Sequence, residues 1–246
     1  LKVENLTVKD KNQFEVVKNV SFSIRSGEVF AIAGVSGNGQ VEIADAIAGL
    51  MPAAGGKIIL NGQDITHMDI RQRTEAGIGY IPEDRQAYGL VLDFTVAENA
   101  VLKDYFKPRF CEKGILKSDQ FVTYSNELIE KYDIRSGQGA KTQVRSMSGG
   151  NQQKIIIGRE IELDPPLIIF VQPTRGLDIG AIERIHEQII AERDKGKAIL
   201  LISLELEVMN CADTIGVIYN GEIKKIKEAK SLTTKEVGEY MMGVHA

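Results

Sequence analysis

A glycine-rich loop near the N-terminus has the composition of a phosphate-binding site. It follows an apolar run and precedes a segment of helical periodicity. Its residues are Gly34, Val35, Ser36, Gly37, Asn38 and Gly39, followed by Gln40 and Val41. Glycines let successive backbone N–H groups turn inward, and a helix N-terminus favours an anion. Phosphate-binding loops normally continue with Lys and then Ser or Thr, which Gln40 and Val41 replace. A tight turn without a ligand therefore explains this segment equally well.

A second glycine-containing motif lies further along the chain, where a helix is expected to begin. It comprises Ser148, Gly149, Gly150, Asn151 and Gln152. Taken alone, these residues are explained by a serine N-cap without a ligand.

Two apolar runs predict buried strands whose ends could carry catalytic side chains. The strand over residues 167–171 is followed by Gln172, and the strand over residues 198–203 by Leu204. Because strands alternate with helices in this part of the chain, we expect a largely parallel sheet that binds ligands at its carboxyl edge.

The middle of the chain differs from both ends in its predicted secondary structure. Residues 84–145 contain few β-branched runs and several helix starts, including a possible capping box at Thr95–Glu98. We therefore predict an α/β core formed by residues 1–83 and 146–246, with an N-terminal antiparallel β region and a helical subdomain over residues 84–145.

Composition excludes several classes of protein. The net charge of -4 is too small to favour nucleic acid as a partner, and the two cysteines form no disulfide framework. No window has the length and apolarity of a membrane span, and no histidine or cysteine spacing predicts a protein-held metal. The chain begins with Leu1 instead of Met, from which we expect that it belongs to a longer polypeptide.

Order and spacing of these motifs resemble the ABC transporter ATPases. Ser148 to Gln152 resemble the signature motif, residues 167–174 the second nucleotide-binding strand, and Asp178 the D-loop. The resemblance covers nearly the whole chain. It implies a P-loop NTPase core of the ABC type, with Gln172 at the position of the catalytic Glu and Leu204 at that of the switch His.

Three stretches resemble a narrower group, the second, C-terminal ATPase domain of bacterial simple-sugar and nucleoside importers. They are residues 80–85, 89–94 and 172–178. The resemblance implies a second ABC ATPase domain in the same polypeptide, transmembrane permease subunits, an indirect link to a substrate-binding protein, and a place at the cytoplasmic face of the membrane. Glu83, Asp84 and Arg85 would then contact the permease; a solvated loop is the alternative.

Five departures from the family pattern affect one half of the nucleotide site. Gln40 replaces a lysine, which costs about tenfold in nucleotide affinity. Val41 and Val171 offer no oxygen to Mg²⁺. The amide of Gln172 cannot take a proton from water, a loss of about 10²–10⁴ in rate. With Leu204 in place of the switch His, the pattern predicts weak or no Mg-ATP binding here and little or no hydrolysis by this domain alone.

The retained signature residues predict a different contribution. ABC domains pair head to tail, so Ser148, Gly149, Gly150 and Asp178 would complete a competent ATP and Mg²⁺ site on the partner domain. Two alternatives stay open: a nucleotide-sensing regulatory module, and a soluble ABC protein outside transport. The transported substrate, sugar or nucleoside, stays open, although the sequence over residues 89–99 and 172–183 looks closer to that of nucleoside-type importers. Because the damaged loop has lost its bridging ATP, we expect the isolated domain to be monomeric in dilute solution.

Overall fold

The computed structural model describes residues 1–204 and 210–244. These divide into two compact units, of which the first comprises Leu1–Tyr80, Pro165–Gln172 and Arg184–Ala246 and the second Ile81–Asp164 and Pro173–Glu183. The strands are β1 (Lys2–Lys9), β2 (Glu15–Ser23), β3 (Val29–Ala33), β4 (Ala53–Leu60), β5 (Gln63–Asp64), β6 (Ile78–Ile81), β7 (Cys111–Glu112), β8 (Ile115–Leu116), β9 (Leu167–Val171), β10 (Ala198–Ser203), β11 (Thr214–Tyr219) and β12 (Glu222–Glu228). The α-helices are α1 (Gln40–Ala48), α2 (Ile70–Glu75), α3 (Val96–Ala100), α4 (Ser118–Lys131), α5 (Gly149–Glu162), α6 (Ile179–Asp194) and α7 (Thr234–Met241).

The first unit is built on two sheets. An antiparallel sheet has the order β2-β1-β4-β5, and a mixed, mostly parallel sheet has the order β12-β11-β3-β10-β9-β6. Strands β3, β9 and β10 are buried along their whole length, as expected of central parallel strands read from continuous apolar runs. The predicted α/β class with an antiparallel N-terminal region is confirmed.

Strand β4 starts earlier than its sequence indicates. Gly55 and Gly56 predict a break before residue 57, yet both lie inside β4. Gly56 has φ +87°, and the pairing of β4 with β1 shifts register between Glu4 and Thr7. The glycines therefore permit an irregularity within the strand, which is a recognised alternative to ending it.

The second unit is mainly helical and extends further than the predicted insertion. It includes α5, whose Gly158 lies so close to α4 that a Cβ there would be 3.1 Å from Leu128 Cδ1. The predicted capping box begins α3: Thr95 accepts from the N–H of Glu98, which bonds back to Thr95 N at 2.8 Å. The short hairpin of β7 and β8 has no counterpart in the sequence prediction.

A buried charged network joins the segments of the second unit. The Arg159 guanidinium donates to Asn99 O at 3.2 Å and Gly89 O at 3.0 Å, and pairs with Glu160 at 3.1 Å. Lys103 bonds the other oxygen of Glu160 at 2.6 Å. Both members of the central pair are almost wholly buried, so removing one would leave an uncompensated charge.

Among the described residues, no helix combines the length and apolarity that a membrane-spanning segment requires.

Candidate functional site

The glycine-rich loop connects β3 to α1, as predicted. Gly39 caps α1 with φ +101°, and a Cβ there would lie 2.4 Å from Val16 O. Both facts restrict this position to glycine, because the left-handed conformation is strained for other residues and the space is already filled. The loop thus has the backbone geometry of a phosphate cradle at a helix N-terminus.

Gln40, which follows the loop, bonds the loop itself. Only 1% of its surface is exposed, and Nε2 donates to Val35 O at 2.9 Å. Oε1 is buried and has no hydrogen-bond partner in the described structure. Asn38 Nδ2 donates to the same carbonyl at 3.0 Å. Two neutral amides therefore stabilise the loop from within.

The turn between β11 and β12 holds the other side of this loop. Asn220 N donates to Asn38 Oδ1 at 2.6 Å, and Gly221 N donates to Asn38 O at 3.0 Å. Sequence reasoning missed this contact, which spans about 180 residues. The only local signal was the Asn-Gly turn pattern, and Asn220 indeed has φ +50°.

The sheet brings the remaining residues of this half-site to one edge. Val171 lies opposite Ile202, and Ser203 opposite Ala33, in parallel register. The carboxyl ends of β9, β10 and β3 are therefore neighbours, and Gln172, Leu204 and Gly34 directly follow them. Gln172 has φ +45°, donates its backbone N–H to Ile202 O at 2.9 Å, and is half-buried, as is Leu204.

At the positions that the family resemblance assigns to Mg²⁺ and nucleotide contacts, this edge carries apolar or neutral side chains. Val41 and Val171 present only methyl groups where Mg²⁺ needs oxygen, and Val171 is fully buried. Gln40 offers no charge, and its unpartnered atom is an acceptor, which repels phosphate oxygens. Glu42, the acidic residue in the first turn of α1, adds a negative charge near the loop.

The predicted signature residues begin α5 in the second unit. Ser148 is the N-cap, but its hydroxyl accepts from Asn151 Nδ2 at 2.9 Å and makes no bond to the helix backbone. Asn151 Oδ1 in turn accepts from Arg135 N at 2.8 Å. Gln152 is buried and donates to Val144 O at 3.0 Å. Ser148 is exposed, whereas Gly149 and Gly150 are half-buried. The side chains of Asn151 and Gln152 thus anchor the first turn of α5 while Ser148 faces solvent.

Asp178 lies at the start of α6, where it is exposed. Its Oδ1 accepts from Ala181 N at 2.9 Å, the bond that an N-cap makes. Helix capping is therefore a structural role of this carboxylate in the described chain, alongside the D-loop role that its position predicts.

The predicted coupling residues have defined local partners. Asp84 Oδ1 accepts from Gln86 N at 2.9 Å and Ala87 N at 3.0 Å, which caps a π-helical turn over Arg85–Gly89. Glu83 forms an ion pair with Arg175, a residue that sequence reasoning did not assign. Its only signal was its place between the predicted second nucleotide-binding strand and Asp178.

A mostly parallel sheet, a glycine loop that opens a helix, and a helical unit with a Ser-Gly-Gly tip together define the class of ATP-binding cassettes. The profile of the family described as "ABC transporter" matches residues 17–175. The chain belongs to this family.

Relatives and solved structures agree with that assignment. The chain is 46% identical over 244 residues to "Guanosine import ATP-binding protein NupO" of Bacillus subtilis (strain 168), covering 99% of this chain and 48% of that protein. It is 45% identical over 244 residues to "Nucleoside import ATP-binding protein NupA" of Lactococcus lactis subsp. cremoris (strain MG1363), again covering 99% and 48%. The chain thus spans about half the length of these curated relatives. A dimeric bacterial ABC transporter cassette superposes with a TM-score of 0.79 at 23% identity, covering 94% of this chain and 99% of that one, which shows the shared fold.

Proposed function

We propose that this chain is an ATP-binding domain of an ABC importer for nucleosides or simple sugars, and that its own Walker half-site is degenerate. It contributes its signature tip to a competent site whose phosphate loop and Mg²⁺ ligands belong to a partner ATPase domain. The importer class is supported by relatives whose names specify guanosine, nucleoside and ribose import.

The proposal rests on a contrast between the residues of the Walker half-site and those of the signature tip. At the edge formed by β3, β9 and β10, the side chains that would bind Mg²⁺ and activate water are replaced by Val41, Val171 and Gln172. At the start of α5, Ser148 and both glycines are retained, and Ser148 is exposed. A domain that only sensed nucleotide would need the first set and not the second.

The wider arrangement follows from the same proposal. The partner would be another ATPase domain of the same polypeptide, an arrangement supported by the chain spanning about half the length of its curated relatives. Permease subunits at the cytoplasmic face of the membrane would contact the segment over residues 83–94, where Tyr88 is 76% and Phe94 41% exposed. The substrate-binding protein acts through the permease.

The replacement Ser148→Arg tests the composite site in the assembled transporter. An arginine at the tip would occupy the space that the partner-bound phosphate needs, so we expect hydrolysis to fall by at least about a hundredfold. Because Ser148 is exposed and only accepts from Asn151, the domain should keep its thermal stability. Ser146→Arg is the matched control: Ser146 is also exposed, its hydroxyl donates to Gln143 O at 2.8 Å, and hydrolysis should persist. Full hydrolysis with Ser148→Arg would refute the composite site.

A further inference from the structure

Three separate segments of the second unit meet around Arg85. Arg85 lies in the segment that begins the predicted permease contact, Gly149 at the start of α5, and Arg175 in the chain just before Asp178. All three lie within the unit formed by Ile81–Asp164 and Pro173–Glu183.

The Arg85 guanidinium covers the first residue of the signature helix. A Cβ added at Gly149 would lie 2.6 Å from Arg85 Nη2 and 3.1 Å from Arg85 Cζ. Because residue 149 is a glycine, there is room for the Arg85 guanidinium; a side chain at this position would displace it. Nε of Arg85 is buried and has no hydrogen-bond partner in the described structure.

The same guanidinium reaches the segment that leads to Asp178. Arg85 Nη1 donates to Arg175 O at 3.2 Å, while the Arg175 side chain returns to Glu83 through an ion pair. Glu83 thus pairs with the side chain of Arg175, and Arg85 donates to the backbone carbonyl of the same residue. This arrangement of Glu83, Arg85 and Arg175 is called the clasp below.

The clasp contributes little to folding stability. The Arg175 side chain is 66% exposed, and exposed ion pairs contribute about 0–1 kcal/mol. Its effect would be geometric, because Arg85 bonds Arg175 O and its guanidinium fills the space over Gly149. A displacement of Arg85 would therefore act on the chain before Asp178 and on the start of α5.

We propose that Arg85 is a positioning residue: through the clasp it sets the signature tip against the partner-bound nucleotide and transmits displacement of the permease-contact segment to that tip. The inference rests on the proposed function. Nucleotide affinity in the composite site comes mainly from the partner's phosphate loop, whereas the tip acts on the closed, reacting state. Loss of the clasp should therefore lower kcat and leave KM for ATP nearly unchanged.

The test is steady-state ATP hydrolysis and coupled transport by the assembled transporter in proteoliposomes. Arg85→Ala should lower kcat about tenfold, the equivalent of one charge-assisted hydrogen bond, with KM within about twofold. Arg85→Lys should be similarly impaired, because an ammonium group lacks the planar surface with which the guanidinium covers Gly149. Glu83→Arg and Arg175→Glu should each lower the ratio of transport to hydrolysis, and the double variant should recover it because the pair is restored in reverse.

A matched control comes from an arginine elsewhere in the same unit. Arg109 pairs with Glu127 at 3.0 Å and is likewise partly exposed, so Arg109→Ala should leave kcat unchanged. Unchanged kcat in Arg85→Ala, or a loss of kcat that follows a lowered melting temperature of the domain, would overturn the inference. So would failure of the charge reversal to rescue coupling.

The two proposals fail in different ways. If Ser148→Arg abolishes hydrolysis while Arg85→Ala has no effect, the composite site stands and the clasp has no positioning role. If Ser148→Arg leaves hydrolysis intact, the composite site itself is refuted, and the role of Arg85 within it is refuted too.

Discussion

Replacing Arg73 by methionine should be among the most destabilising single changes in the first unit. Arg73 is 2% exposed, and its guanidinium donates only to backbone carbonyls in the described structure. Nη1 bonds Ala46 O at 2.6 Å and Ile47 O at 2.8 Å, Nη2 bonds Thr66 O at 2.7 Å, and Nε bonds Met68 O at 2.8 Å. Arg73 therefore joins α2 to the C-terminal end of α1, the helix that the phosphate loop opens.

The magnitude follows from opposing effects. Each hydrogen bond to a charged group contributes about 1.5–3 kcal/mol, and each carbonyl left unsatisfied costs about 1–3 kcal/mol. Desolvation of the guanidinium offsets part of this gain, and the same burial lowers the pKa of Arg73. At the end of α1, Ala46 O also accepts from Gly49 N at 3.3 Å, so the loss of the arginine is only partly compensated there. We expect Arg73→Met to lower the free energy of unfolding by about 3–4 kcal/mol.

Urea denaturation followed by circular dichroism measures this loss. Arg71→Met is the matched control on the same helix: Arg71 is 64% exposed in its side chain and pairs with Glu75 at 3.0 Å, so the change should be within about 0.5 kcal/mol. If both variants lose the same amount, the four carbonyl bonds do not stabilise the fold as argued.

Two further predictions concern the loop and the pH dependence. Gln40→Lys should raise ATP affinity of the isolated domain about tenfold by calorimetry, without turnover, because Val41, Val171 and Gln172 still lack the required groups; steady phosphate release would contradict the assigned defect. Burial raises the pKa of the Asp104 carboxyl above its usual value of 3.8, so the folded state favours the protonated form. Protonated Asp104 therefore stabilises the fold at low pH. This stabilisation is lost as the pH rises above 3.8 and through the folded-state pKa. Asp104→Asn should remove this part of the pH dependence of thermal unfolding above about pH 4, and an unchanged profile would show that Asp104 does not produce it.

Local sequence patterns were sufficient to predict the bounds of two buried strands and the start of one helix. The strands over residues 167–171 and 198–203 have the predicted bounds, because continuous apolar runs of that length are buried on both faces in a parallel sheet. The capping box at Thr95 was equally readable, since its two bonds join residues three apart. The prediction of a break before β4 at Gly55 and Gly56 was wrong, since both glycines lie inside the strand. Sequence alone does not distinguish a turn from an irregularity inside a strand.

The sequence by itself determined the α/β class and the family, because these depend on residue types and order along the chain, and it predicts which chemical groups one half-site lacks. Only the tertiary structure decided how the remaining groups are used. The Gln40 amide bonds its own loop, Asn220 holds Asn38 from the far end of the chain, and α5 packs with the helical unit. The ion pair of Glu83 and Arg175 joins residues 92 apart in sequence. Such partners are chosen by the packing of distant segments, which no local pattern encodes.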